Sequence, residues 1–267
     1  MRGSARLRRG IAGSMRLGPF ALAALLAFPG ALTAAEPTDA GDAAYAAGRA
    51  RDARTEWLSA LETHPDQLGL LTRLVRVESE LSEDARGEEM RTLAMAAVEH
   101  GRAAVRVAPD SAISHVWLAT ALGRQALREG PKTKLAMSRE IKSEVDRSIV
   151  LDPRIGRAYH VRAIWNRELA SLNVFERAMA NTVLGGVPKG ASMDNAVADL
   201  RHAIELEPGY INHRLELGRT YELVKEYDLA RGELEMAVSL NPGASVRDAH
   251  YQAEARDLLK RLPGPRD

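Results

Sequence analysis

The chain has 267 residues, 37 basic against 36 acidic side chains, no cysteine, and an apolar share of 45% of which aromatics supply little, at 4% of the chain. The missing cysteine excludes disulfides, thiol catalysis, cysteine-ligated zinc and a lipidated-cysteine anchor. The balanced charge lacks the Lys and Arg surplus with which a sequence-independent nucleic-acid binder displaces counterions, so no nucleic-acid partner is expected. The apolar share is mostly Ala and Leu, strong helix formers, with few of the aromatic residues that favour strands, and predicts an all-α fold.

Residues 1–35 hold five arginines (Arg2, Arg6, Arg8, Arg9, Arg16) and no acid, so the remainder is mildly acidic, with 32 basic against 36 acidic side chains. The arginines precede an uncharged run from Leu17 to Phe28, and small residues follow at Leu32-Thr-Ala-Ala35. That order is the basic start, apolar middle and small-residue cleavage site of a secretory signal peptide, with Met15 as an alternative start. The 19 uncharged positions 17–35 approach the roughly 20 that span a bilayer, but Gly18, Pro19, Pro29 and Gly30 favour cleavage over anchoring. The expectation is a periplasmic or secreted protein with a flexible spacer over 36–42, a repeat domain over 43–263 and a tail over 264–267. Whether it stays attached to a membrane is left open.

A helix end recurs along the body: His64-Pro65-Asp66, Ala108-Pro109-Asp110, Asp152-Pro153-Arg154, Glu207-Pro208-Gly209 and Asn241-Pro242-Gly243. Each closes an amphipathic helical pattern, and proline terminates a helix. The gaps are 44, 44, 55 and 34 residues, and 34 is the period of the tetratricopeptide repeat. The last unit matches that repeat at Leu217-Gly218, Tyr221, Ala230, Leu234, Ala237 and Pro242. The same offsets give Ala196, Leu200 and Ala203 before Pro208, then Ala97, Gly101 and Ala104 before Pro109, and Ala53, Trp57 and Ala60 before Pro65. Before Pro153 they give the less regular Ile141, Val145 and Ser148. These positions predict a tetratricopeptide-like α-solenoid of about five helical hairpins with insertions. One insertion follows Arg128, another runs from about Ser171 to Ala191 with a helix from Val174 to Leu184, and a capping helix covers about Arg247–Leu262.

From about Ser111 to Leu240 the motifs and insertions follow one order: Trp117-Leu-Ala-Thr-Ala-Leu-Gly-Arg-Gln-Ala126, Glu129-Gly-Pro-Lys132, Arg139-Glu-Ile-Lys-Ser-Glu-Val-Asp146, Tyr159-His-Val-Arg-Ala-Ile-Trp165, Phe175-Glu-Arg-Ala-Met-Ala180 and Asn212-His-Arg-Leu-Glu-Leu-Gly218. This series resembles the regulator of microtubule dynamics family, and the resemblance implies a tetratricopeptide-like domain with these insertions. Eukaryotic members are associated with microtubules, and some sit at organelle contact sites where the repeat domain handles phospholipid. The resemblance supplies no catalytic residues. An exported protein would not meet tubulin.

No catalytic or metal chemistry is legible, and no cofactor is expected. The seven histidines form no i, i+4 pair with a flanking acid, there is no Gly-x-Ser-x-Gly elbow, and Gly185-Gly-Val-Pro-Lys-Gly190 lacks a phosphate loop's ending. The chain is predicted not to be an enzyme. Stacked hairpins curve so that the first helix of each lines the inner surface. The repeat frame turns inward Ile113, Val116, Thr120, Gly123 and Arg124; then Arg157, His160, Ile164, Arg167 and Glu168; then Asn212, Leu215, Arg219, Glu222 and Leu223. Candidate partner-binding residues are Arg124, Arg157, His160, Arg167, Asn212 and Arg219, since guanidinium groups make forked hydrogen bonds to carboxylate or phosphate. Trp117 and Trp165 fall at packing positions. The leading expectation is an exported scaffold holding a protein or peptide, the second a lipid-binding or lipid-carrying module for an anionic lipid, and the third a microtubule-associated regulator.

Overall fold

The computed structural model describes residue 36, residues 38–183 and residues 186–264, all within the unit formed by residues 36–267. The leader over 1–35 and most of the short tail lie outside the described residues. Twelve helices follow one another: α1 (Asp39–Ala46), α2 (Ala50–Thr63), α3 (Leu68–Asp84), α4 (Gly87–Val107), α5 (Ala112–Ala126), α6 (Pro131–Leu151), α7 (Gly156–Ala170), α8 (Val174–Val183), α9 (Met193–Leu206), α10 (Ile211–Leu223), α11 (Tyr227–Ser239) and α12 (Asp248–Arg261). The described residues contain no strand. α1 packs on α2, α3 on α4, α5 on α6, α7 on α9 and α10 on α11, giving five hairpins with α12 against the last. Prolines 65, 109, 153, 208 and 242 each fall in the linker after a hairpin's second helix, where the missing N–H and fixed φ stop one helix before the next begins.

The template positions are where the hairpins are sealed. Ala53, Ala104, Ala196, Leu200, Ala203, Ala230, Leu234 and Ala237 have no exposed surface. A fully buried leucine such as Leu200 or Leu234 contributes about 1.5–3 kcal/mol relative to exposure. Alanine and glycine let the helix axes approach. A Cβ on Gly101 would lie 3.1 Å from the Leu118 Cα, and one on Gly218 would lie 2.7 Å from the Leu234 Cγ. Gly232, on α11, has nothing within 4 Å of the same position. The two kinds of glycine therefore predict opposite signs. Gly232→Ala should stabilise by up to about 1 kcal/mol, the helix-propensity difference. Gly101→Ala should destabilise by about 1 kcal/mol net, because crowding a neighbouring helix backbone outweighs that gain. Thermal unfolding of the two variants checks the pair.

Three expectations are refined. α1 starts at Asp39, inside the predicted spacer: the Trp57 Nε1–H donates to the Thr38 carbonyl at 3.2 Å and Asp42 accepts from Arg73 at 2.6 and 2.8 Å, so this segment is folded onto α2 and α3. The 44-residue gaps are met by lengthening helices, with α4 and α6 both 21 residues, rather than by long loops. The fourth-unit insertion is the separate helix α8, begun by a reciprocal cap in which the Asn173 N–H donates to Glu176 and the Glu176 N–H donates to Asn173, both at 2.9 Å. α8 packs on α6.

The turn between α11 and α12 departs from an open solenoid. The buried Asp248 carboxylate accepts the backbone N–H groups of Gly243, Ala244 and Ser245 at 2.8, 2.8 and 3.0 Å, fixing the turn. That turn reaches the first two hairpins. Ser245 Oγ–H donates to Glu80 at 2.9 Å, the Val246 N–H to the Tyr45 hydroxyl at 3.4 Å, and Arg76 to the Ala244 carbonyl. Arg247 pairs with Glu83 at 3.1 Å and with Asp84.

Candidate functional site

The inner face lines a partly open cavity of about 480 Å³. Arg124, Arg157, His160, Arg167, Asn212 and Arg219 all line it, together with Thr120, Gly123, Ile164 and Glu168 from the same inward frame. The other five residues of the frame do not line it: Val116 and Leu215 are core, Ile113 and Leu223 are exposed, and Glu222 is half-buried. α5, α7 and α10 supply the polar wall. α6 and α8, with the ends of α5 and α7, supply an apolar one that includes Leu127, Leu135, Ile141, Leu169, Leu172 and Ala180. α8 is thus both a packed helix and part of the cavity wall, while its Val174 and Phe175 stand exposed.

The four arginines are not equivalent. Arg124 pairs with Glu83 at 2.8 Å, and Arg167 with Glu216 at 2.7 Å. Arg219 pairs with both Glu216 and Glu254. Glu216 is 7% exposed. Burial alone would push its carboxyl up, but the guanidinium groups of Arg167 and then Arg219 overcome that and hold it at about 2. Arg157 alone of the four has no carboxylate within ion-pair distance among the described residues. Its guanidinium lies over the rings of Trp117, at 4.4 Å, and Tyr210, at 4.9 Å. Those cation–π contacts hold the charge in place without neutralising it. Trp117 is partly buried and packs against the core with Arg157 over its ring, and Trp165 is core as expected and donates to the Ser138 carbonyl at 2.8 Å.

Behind Arg157 lies a chain of ring nitrogens. Glu207, in the proline linker after α9, accepts the Arg157 backbone N–H at 3.0 Å and contacts His213 Nε2 at 3.2 Å. His213 Nδ1 in turn faces His160 Nδ1 at 2.9 Å. Burial holds both rings below the ordinary histidine range. Burial would raise the Glu207 carboxyl, but the His213 hydrogen bond and the Arg157 charge bring it below its usual range. The repeat frame does not single out Glu207, His213, Tyr210 or Glu216. The signal available is the α10 stripe of Asn212, His213, Glu216 and Arg219, polar at helical spacing, of which the first three are buried.

The hairpin stack and its lined inner cavity define a tetratricopeptide-type repeat protein. The family model for regulator of microtubule dynamics protein 1-3 matches residues 38–263. The chain belongs to that family. It is 30% identical over 192 residues to regulator of microtubule dynamics protein 1 of Caenorhabditis elegans, covering 72% of this chain and 84% of that one. It is 29% identical over 194 residues to protein 1 of Bos taurus, covering 72% and 61%, and 28% identical over 190 residues to protein 3 of Rattus norvegicus, covering 70% and 40%. Among solved structures, a thermophilic TPR protein of Thermus thermophilus, TTC0263, superposes with a TM-score of 0.59 at 20% identity, over 82% of this chain and 97% of that one, a likeness of fold.

Proposed function

We propose that the protein is a non-catalytic scaffold that holds an extended, anionic peptide segment in the inner cavity, and that it works outside the cytosol. The observation that carries the reading is Arg157, a cation held by Trp117 and Tyr210 at the cavity wall with no carboxylate within ion-pair distance among the described residues. A carboxylate arriving there gains a charge-assisted bond without first breaking an ion pair. The leader over 1–35 supports export, and an export route would part this chain from the microtubule-linked role in its relatives' names.

Arg157→Gln should leave folding intact and lower retention of the bound partner at least about tenfold, the effect of losing about 1.4 kcal/mol. Affinity capture with wild type and variant, each shown folded by thermal unfolding, checks this; equal retention removes the cavity from the proposal. A mature N-terminus near Glu36 would support export, whereas an intact leader would return the microtubule-associated role to first place.

A second reading is favoured by one feature, the apolar wall of Leu127, Leu135, Leu169 and Leu172 facing the arginines. An anionic lipid presents that pairing of chain and charge. Native mass spectrometry of protein purified from membranes separates the two readings: a lipid-bound mass supports the second, and a lipid-free mass with no liposome binding dismisses it.

A further inference from the structure

The hydrogen positions along Glu207, His213 and His160 follow from an inventory of donors and acceptors. An ionised carboxylate only accepts, so the His213 Nε2 facing Glu207 carries the proton. A neutral imidazole has one N–H, so His213 Nδ1 is the bare nitrogen, and the His160 Nδ1 facing it at 2.9 Å carries the proton. The remaining nitrogen, His160 Nε2, is then a lone pair on a ring that lines the cavity, with no partner among the described residues. Burial and the neighbouring guanidinium groups of Arg157 and Arg124 oppose the alternative, in which one ring is charged and Nε2 is a donor.

Asn212 also lines the cavity, but its Oδ1 is buried in the wall and does not face the open space. His160 Nε2 therefore shares the cavity with Arg157, which has no carboxylate within ion-pair distance among the described residues. An anionic group offering only acceptors would satisfy Arg157 and leave His160 Nε2 without a donor once the cavity is filled. The end of a peptide offers both requirements two bonds apart, a carboxylate and the N–H of its last amide. The phosphate of a phosphodiester offers no donor.

We propose that His160 is the specificity-determining residue of this cavity, selecting through its bare Nε2 a peptide C-terminus whose last amide N–H donates to it while the carboxylate meets Arg157. This rests on the peptide-holding reading above and narrows it to chain ends. Glu207 and His213 are positioning residues, because they fix which His160 nitrogen is bare. Gly156 is a third: a Cβ there would lie 2.8 Å from the Glu207 Cδ, so the carboxyl reaches α7 only because position 156 has no side chain.

Two measurements on the full chain test this. Nitrogen-15 spectra of the histidine rings should show His213 protonated at Nε2 and His160 at Nδ1; the opposite tautomers overturn the proposal. Three mixture-based hexapeptide libraries, with free C-termini, amidated C-termini, or free C-termini N-methylated at the last peptide nitrogen, are then incubated with the protein and the retained fraction is read by mass spectrometry. Wild type should retain the free-acid library about tenfold over either other. His160→Phe, which keeps the ring shape without the acceptor, should bring the N-methylated library level with the free acid while still preferring acid over amide. Gly156→Ala should move discrimination the same way and change the His160 ring signals. Equal retention of the N-methylated and free-acid libraries by wild type overturns the role of His160 and leaves the cavity reading standing. Retention of no library overturns both, and the lipid measurement above then identifies the occupant.

Discussion

Glu216→Ala should destabilise the protein by about 3–4 kcal/mol, because it leaves the 9% exposed Arg167 without its 2.7 Å partner inside the cavity wall. In a domain of this size that is a fall of roughly 6–16 °C in Tm. The same carboxylate sets an acid limit. Its folded pKa, about 2, lies below the usual value near 4.5. A depressed carboxyl contributes stability that is fully present above its unfolded pKa and is lost as pH falls toward the folded one. The window is therefore about pH 4.5 down to about 2, and the amount at stake is on the order of 3 kcal/mol. Glu216→Gln has no group to titrate, so its stability should fall less steeply across that window than that of wild type. Urea unfolding at pH 5 and pH 3 provides the comparison, and parallel losses would contradict the assignment.

Arg247→Ala should cost about 2–3 kcal/mol. The guanidinium is 4% exposed and joins Glu83 at 3.1 Å to Asp84, while also lying 5.3 Å from the centre of the Tyr251 ring. Glu83 keeps Arg124, which is why the loss falls short of that for an isolated buried pair. The distinguishing effect is regional: limited proteolysis should reach the turn over 243–247 and the end of α3 earlier than it reaches α7 to α11. Arg247→Lys should restore only part of the stability, since a single ammonium does not reach two carboxylates at once as the wider guanidinium does.

What the sequence discloses and what it hides divide along physical lines. The prolines and the small residues at fixed offsets act within one hairpin, so their spacing alone locates α2, α4, α6, α9 and α11 and the faces they bury. The six inward-facing candidates share one cavity for the same reason: the repeat frame fixes which way a first helix turns each side chain. The pairing of Arg167 with Glu216, of Arg124 with Glu83 and of His160 with His213 joins residues 49, 41 and 53 positions apart, across neighbouring hairpins whose insertions blur the register. Periodicity within a helix carries no information about such partners. Nor does it show that Arg157, one arginine among many, is the one left without a carboxylate.

The contact between the turn at 243–247 and α3 bears on how this fold tolerates change. Stacked repeats with free ends gain or lose a unit at modest expense, because each unit answers only to its neighbours. Here the last unit also answers to the first two, chiefly through α3. Adding or removing one hairpin would rotate and shift Ser245 and Arg247 away from Glu80 and Glu83, so the copy number is locked by geometry. Variation in length is then confined to places that leave the circuit intact, and the α8 insertion, which lies outside it, is such a place.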